Sequence, residues 1–179
     1  MNSANPSPQQ LRLNVVSEKR EQLHLYLNDH LAGSVAAIEL LDDLIENHPT
    51  HRLADFFREM RDEISADQQT LQQLIEKVGG DESAMRKAAA WLTEKISRAK
   101  LRFDDENNLG LLQALETLEL GVTGKQLLWR SLGAIDQNVI DLQSTDFGGL
   151  ERRAKDQIAK IENERVQVSR EILSDREHS

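Results

Sequence analysis

Between Leu23 and Ile45 the chain reads LHLYLNDHLAGSVAAIELLDDLI, an uninterrupted run with no proline. At about 100° per residue, Leu23, Leu27, Ser34, Ile38, Leu41 and Ile45 share a narrow arc, flanked by Tyr26, Ala37 and Leu44. A helix with such a stripe must bury it against other elements, so this stretch restricts the fold more than any other. One polar side chain, His30, lies inside the arc. A histidine buried among helices needs a hydrogen-bonding partner, and the search for that partner organises the rest of the reading.

The other segments supply only helices as neighbours. Pro6, Pro8 and Pro49 are the three prolines, and all fall outside the expected helices. Leu, Glu, Gln, Arg and Ala dominate the long segments, as helix propensity favours, and no alternating β-branched run competes as a sheet. With 179 residues, 39% apolar and 30% charged, the chain suits one domain with a real core and solvated outer faces. The formal charge of −9 repels nucleic acid and anionic membrane surfaces. The absence of cysteine excludes disulfides, thiolate metal sites and cysteine nucleophiles. No run approaches the length of a membrane span, and the start lacks a basic-then-apolar signal. The expectation is a cytoplasmic protein.

In chain order, residues 1–16 read as a flexible, polar, proline-bearing segment. Ser17 is the expected N-cap of a first helix ending near Asn47, and His48-Pro49-Thr50 turns the chain. A second helix carries Leu53, Phe57, Met60, Ile64, Leu71, Leu74 and Val78 and stops at Gly79-Gly80. A connector helix is expected over 81–100, with Met85, Ala88, Trp91, Leu92, Ile96 and Ala99 on one side. A third helix with Leu111, Leu115, Leu118, Val122, Trp129 and Leu132 extends through Gly133 toward Leu142. After a turn at Gln143-Ser144-Thr145, the fourth carries Phe147, Leu150, Ala154, Ile158, Ile161, Val168 and Ile172. The bundle domain therefore spans 17–175, followed by a frayed 176–179 tail. Two antiparallel hairpins joined by a long crossover containing an extra helix give an all-α, ferritin-like four-helix bundle.

Short turns fix heights. Centring the first turn on residue 49 places Leu41 level with Phe57, Ser34 with Ile64, and His30 with Asp67 or Gln68, of which Asp67 interrupts the second stripe. Centring the second turn on residues 144–145 places Lys125 level with Arg165, two cations on apolar faces. The expectation is one buried polar layer of His30, Asp67, Lys125 and Arg165. The competing reading has Lys125 and Arg165 snorkelling outward from the core edge.

A bundle of this kind raises the possibility of a carboxylate di-metal centre, which needs Glu-x-x-His on two of its helices. Here Ala66 stands three residues after Glu63 and Arg165 three after Glu162, so neither motif exists. Glu63, Asp67, Glu116, Glu119 and Glu162 remain the ligand set of an alternative metal reading. No cofactor is expected. His24, His48, His51 and His178 show no ligand spacing, and Gly148-Gly149 reads as punctuation. The connector sets Arg86, Lys87, Lys95, Arg98, Lys100 and Arg102 against Glu94 alone, a patch for an anionic partner. With only Trp91 and Phe103 nearby for stacking, it argues for a protein surface over nucleic acid.

The phrases YLNDHLAGSVAAIELLDDLI at 26–45 and LETLELGVTGKQLLWRSL at 115–132 resemble a group of uncharacterised bacterial ferritin-like four-helix-bundle proteins. The resemblance implies a ferritin-like fold and no assigned activity. The expected function is a non-catalytic structural or interaction protein, as a homodimer or with a protein partner, whose core holds an ionic layer. The alternative is a divergent, di-iron-like carboxylate metal protein with ferroxidase-like or peroxide-handling chemistry.

Overall fold

The computed structural model describes residues 7–48, 52–79, 109–135, 142, 145–174. Four long helices carry nearly all of these: α1 (Pro8–Asn47), α2 (Ala54–Val78), α3 (Leu109–Ala134) and α4 (Phe147–Leu173). The expected connector helix, with Trp91 and the basic patch from Arg86 to Arg102, lies outside the described residues.

The helix ends follow local chemistry. Ser7 caps α1 in a reciprocal box with Gln10, and Pro8 occupies the first turn, where its missing N–H costs nothing. The first helix thus begins well before Ser17, and the flexible segment expected over 1–16 is helical from Pro8 onward. At the end of α2, Gly79 adopts φ 64°, a left-handed conformation that a β-carbon would strain, and its N–H returns to the Ile75 carbonyl. Asp146 caps α4 by accepting from the Gly149 N–H at 2.8 Å. The third helix ends at Ala134 rather than reaching Leu142, although Leu142 itself is fully buried.

Side-chain pairs set the directions. Asp42–Arg61 and Ser34–Gln68 make α1 and α2 antiparallel. Arg130–Glu151 and Glu119–Arg165 do the same for α3 and α4. Between α2 and α4, Asp67 meets Arg153, Glu63 meets Lys160, and Arg52 meets Glu171, so these two are antiparallel as well. It follows that α2 and α3 run in the same direction, and the chain between Gly79 and Leu109 joins opposite ends of the bundle. Backbones approach closely within the two hairpins and between α1 and α3. Between α2 and α4 the link is made chiefly by long charged side chains. Around the bundle the order is therefore α1, α2, α4, α3, with α2 and α3 on one diagonal.

The core is one cluster running the length of the bundle, with Phe57, Met60, Leu115, Leu118, Trp129 and Leu132 among its most enclosed members. By the Ser34–Gln68 level, Val78 at the end of α2 stands near His24. His24 is also the first buried residue of α1. Residues 9–11 and 14–22 are exposed, including Leu11, Val15 and Val16, so α1 projects past its neighbour by roughly 20 Å at about 1.5 Å per residue. Removing residues 1–21 is therefore expected to cost under about 1 kcal/mol, whereas Phe57→Ala should cost about 3–5 kcal/mol. Urea melts of the two variants measure both values. A truncation as costly as the core change would show that the projecting turns are held by contacts.

Candidate functional site

The apolar stripe of α2 spaces its buried residues by three and four, at Met60, Ile64, Leu71 and Leu74, and Asp67 falls on that spacing. Helix geometry thus carries a carboxylate into the core, where only 2% of the side chain remains exposed. A buried carboxylate must be met by donors, and they come from two helices. Lys125 of α3 reaches across the diagonal to Asp67 Oδ2 at 2.5 Å. Arg153 of α4 donates to Oδ1, and the Gln157 amide lies 3.4 Å from Oδ2. Gln157 accepts from Lys125 through Oε1 and donates through Nε2 to Glu63 at 2.9 Å. Lys160 then bridges Glu63 and Glu59, each at 2.7 Å.

The protonation states follow from this wiring. Burial depresses the Lys125 amine below its ordinary value, only partly offset by Asp67. The Asp67 carboxylate it is bonded to favours the ammonium form against that burial. Burial alone would raise Glu63, but hydrogen bonds from Lys160 and Gln157 outweigh it and hold the carboxyl below the usual range.

Of the four residues expected in one layer, the structure joins Asp67 and Lys125. Arg165 is elsewhere: it sits between Glu162 at 2.6 Å and Glu119 at 3.5 Å. The reason is the turn. With α3 ending at Ala134 and α4 starting at Phe147, its centre falls near residues 140–141, not 144–145. That displaces the partner of Lys125 by about two helical turns, from Arg165 to Gln157. The first turn is likewise later than residue 49, because α2 begins at Ala54, so Ser34 meets Gln68 at 3.0 Å rather than Ile64. His30 therefore stands about one turn away from Asp67. Its ring meets that of Tyr26 edge-on, with centroids 4.7 Å apart.

Two participants were missed. Gln157 lies on the α4 stripe between Ala154 and Ile161, at a spacing that should have marked it. Arg153 lies off that stripe, with 43% of its side chain exposed, and only its length brings it to Asp67. A further buried pair, His24 and Asn28, closes on itself: the Asn28 amide donates to the His24 carbonyl at 2.7 Å and lies 3.2 Å from its Nδ1.

The alternative metal set divides into two groups. Glu63 and Asp67 belong to the network around Gln157, while Glu116, Glu119 and Glu162 surround Arg165. Burial, and then the Glu162 charge, hold the Glu119 carboxyl above its ordinary value. Among the described residues no group of three or more His, Asp or Glu is arranged to hold a metal ion. Comparison with known protein families, curated proteins and solved structures finds no match to this chain.

Two measurements check this geometry. Asp67→Leu strands the Lys125 ammonium, whose side chain is only 13% exposed, and should cost about 3–5 kcal/mol. Arg153 can swing to water, so Lys125 carries most of that penalty. Adding Lys125→Met should restore most of the loss, giving a coupling of roughly 2 kcal/mol or more in a denaturant double-mutant cycle. Additive single changes would mean the pair is not coupled.

The second concerns His30. Burial holds its imidazole below the ordinary 6.5, against the opposing pull of Asp29. The unfolded chain then binds the extra proton first. This contribution to stability is full above 6.5 and is lost as pH falls from there through the folded value. Thermal melts from about pH 7.5 down to about pH 5 should show a smaller loss in His30→Phe than in the parent. Equal slopes would reject the assignment.

Proposed function

We propose that this chain is a non-catalytic structural or interaction protein of the cytoplasm: a ferritin-like bundle whose centre is fixed by ion pairs. The observation that carries the reading is the Asp67–Lys125 bridge across the diagonal. In carboxylate metal bundles the inward positions of all four helices supply ligands to the space between them. Here one inward carboxylate is bound to an ammonium and a guanidinium, and the opposing helices contribute Lys125 and Gln157. The common direction of α2 and α3, joined across the bundle by residues 79–108, supports the ferritin-like connectivity. Among the described residues, no helix is long and apolar enough to cross a membrane. The partner in this reading is a second copy or another protein chain.

The metal-protein reading draws on one observation, the three glutamates at the α3–α4 seam, one of which is held above its ordinary pKa. Yet Arg165 stands among them, in the place a cation ligand set would keep open.

Elemental analysis after chelator-free purification, with melts in added Fe(II), Mn(II) or Zn(II), separates the two. The bundle reading expects no stoichiometric metal and an unmoved melting midpoint, since a ligand that binds only the folded state must raise it. About one or two metals per chain, lost on Glu63→Gln or Glu162→Gln, would replace this proposal with the metal reading.

A further inference from the structure

A cleft of about 230 Å³ opens between α1, α2 and α3. Gly33, Gly121 and Gly124 border it, and among the described residues a β-carbon on any of them would meet nothing within 4 Å. The glycines thus leave the space clear, where larger side chains would fill it. The remaining wall is largely apolar, with Ala37, Ile64, Leu71, Val122 and Leu128. A dry cavity of about 150 Å³ admits benzene, so this one is large enough for two fused rings.

Polar groups converge on one side. Lys125 and Trp129 stand one turn apart on α3, and both line the cleft. Lys125 has three N–H groups and, among the described residues, two acceptors, Asp67 and Gln157. The Trp129 indole N–H is shut off from water and, among the described residues, has no acceptor. An acceptor atom seated in the cleft against Lys125 would complete its third N–H, whereas the enclosed indole N–H could donate only after Trp129 shifts. The charges nearby are already matched: Lys125 and Arg153 face Asp67, and Lys160 faces Glu63 and Glu59. Among the described residues, an entering carboxylate would find no unmatched counter-charge.

We propose that this cleft is a binding site for a neutral, apolar, two-ring aromatic molecule bearing one carbonyl-type oxygen, seated with that oxygen toward Lys125 and its rings beside Trp129. The proposal does not depend on the bundle being metal-free.

Proton–nitrogen correlation spectra of the full chain, titrated with indanone, test it through the Trp129 indole signal, identified by its loss in Trp129→Phe. The expected result is a saturable shift with Kd on the order of 0.1–1 mM, the range for a ligand of this size. Indane, which keeps the rings and lacks the oxygen, and indanecarboxylate should each bind at least about fivefold more weakly. Gly124→Leu places its side chain in open space, so it should keep the parent melt while weakening indanone binding by about tenfold or more; Gly33→Leu is the second blocking variant. No saturable shift with indanone, indane or the carboxylate binding as tightly, or unchanged affinity in a folded blocking variant would each overturn the proposal.

Discussion

A carboxylate in a helical core is the constraint on which the other contacts depend. Asp67 keeps only 2% of its side chain exposed, and its partners come from the diagonal helix and from α4, so three helices must agree in height and rotation. Sliding α3 by one residue moves Lys125 by about 1.5 Å along the bundle and about 100° around its helix. Leucines and valines tolerate such a slip by repacking, whereas an ion pair in low dielectric does not. The net stabilisation from the pair is modest once desolvation is counted, because a well-packed apolar replacement is often neutral. Its larger consequence is registry: among compact arrangements that bury similar apolar area, those without this bridge leave a charge stranded.

The two seams that close the bundle differ in kind. Between α2 and α4, Arg52, Lys160 and Arg153 reach acids on the opposite helix, so the seam is spanned by long side chains. Between α1 and α3, three helical glycines border open space. A glycine inside a helix sacrifices up to about 1 kcal/mol relative to alanine, and such positions are often justified by close backbone contact. Among the described residues, a β-carbon at Gly33, Gly121 or Gly124 would meet nothing within 4 Å, so these glycines are understood through the volume they leave free. One seam is charged and braced, the other open and largely apolar, and Lys125 touches both.

Periodicity made the helices legible, because each stripe had to be buried and the stops were chemical: Gly79 ends α2 and Asp146 begins α4. Asp67 stood out as a carboxylate on an apolar spacing, and Lys125 as a cation on another. What failed was height. A turn centre misplaced by two residues, as at the first turn, moves the level of every partner by four, about one turn; one misplaced by nearly four, as at the second, moves it by about two turns. The six residues between Asn47 and Ala54, and the twelve between Ala134 and Phe147, left that centre open. Hence Lys125 was matched to Arg165 rather than Gln157, and His30 to Asp67. Arg153 could not have been found by stripe analysis at all, since its backbone belongs to the exposed face. The early start of α1 was present as Ser7, Pro8 and Gln10, but its first turns bury no stripe that would have announced them.

The same network bears on metal chemistry by charge alone. A dication seated at Asp67 would stand beside Lys125 and Arg153, both already bonded to that carboxylate. At about 4 Å and an effective dielectric near 20, each unit repulsion amounts to about 4 kcal/mol, doubled for a dication and repeated for the second neighbour. Relief would require Lys125 to release its proton or Arg153 to swing to water. Either change gives up the bonds that align α3 and α4 with α2. Registry and metal binding thus compete for one carboxylate, and in this chain the side chains nearest to it serve registry.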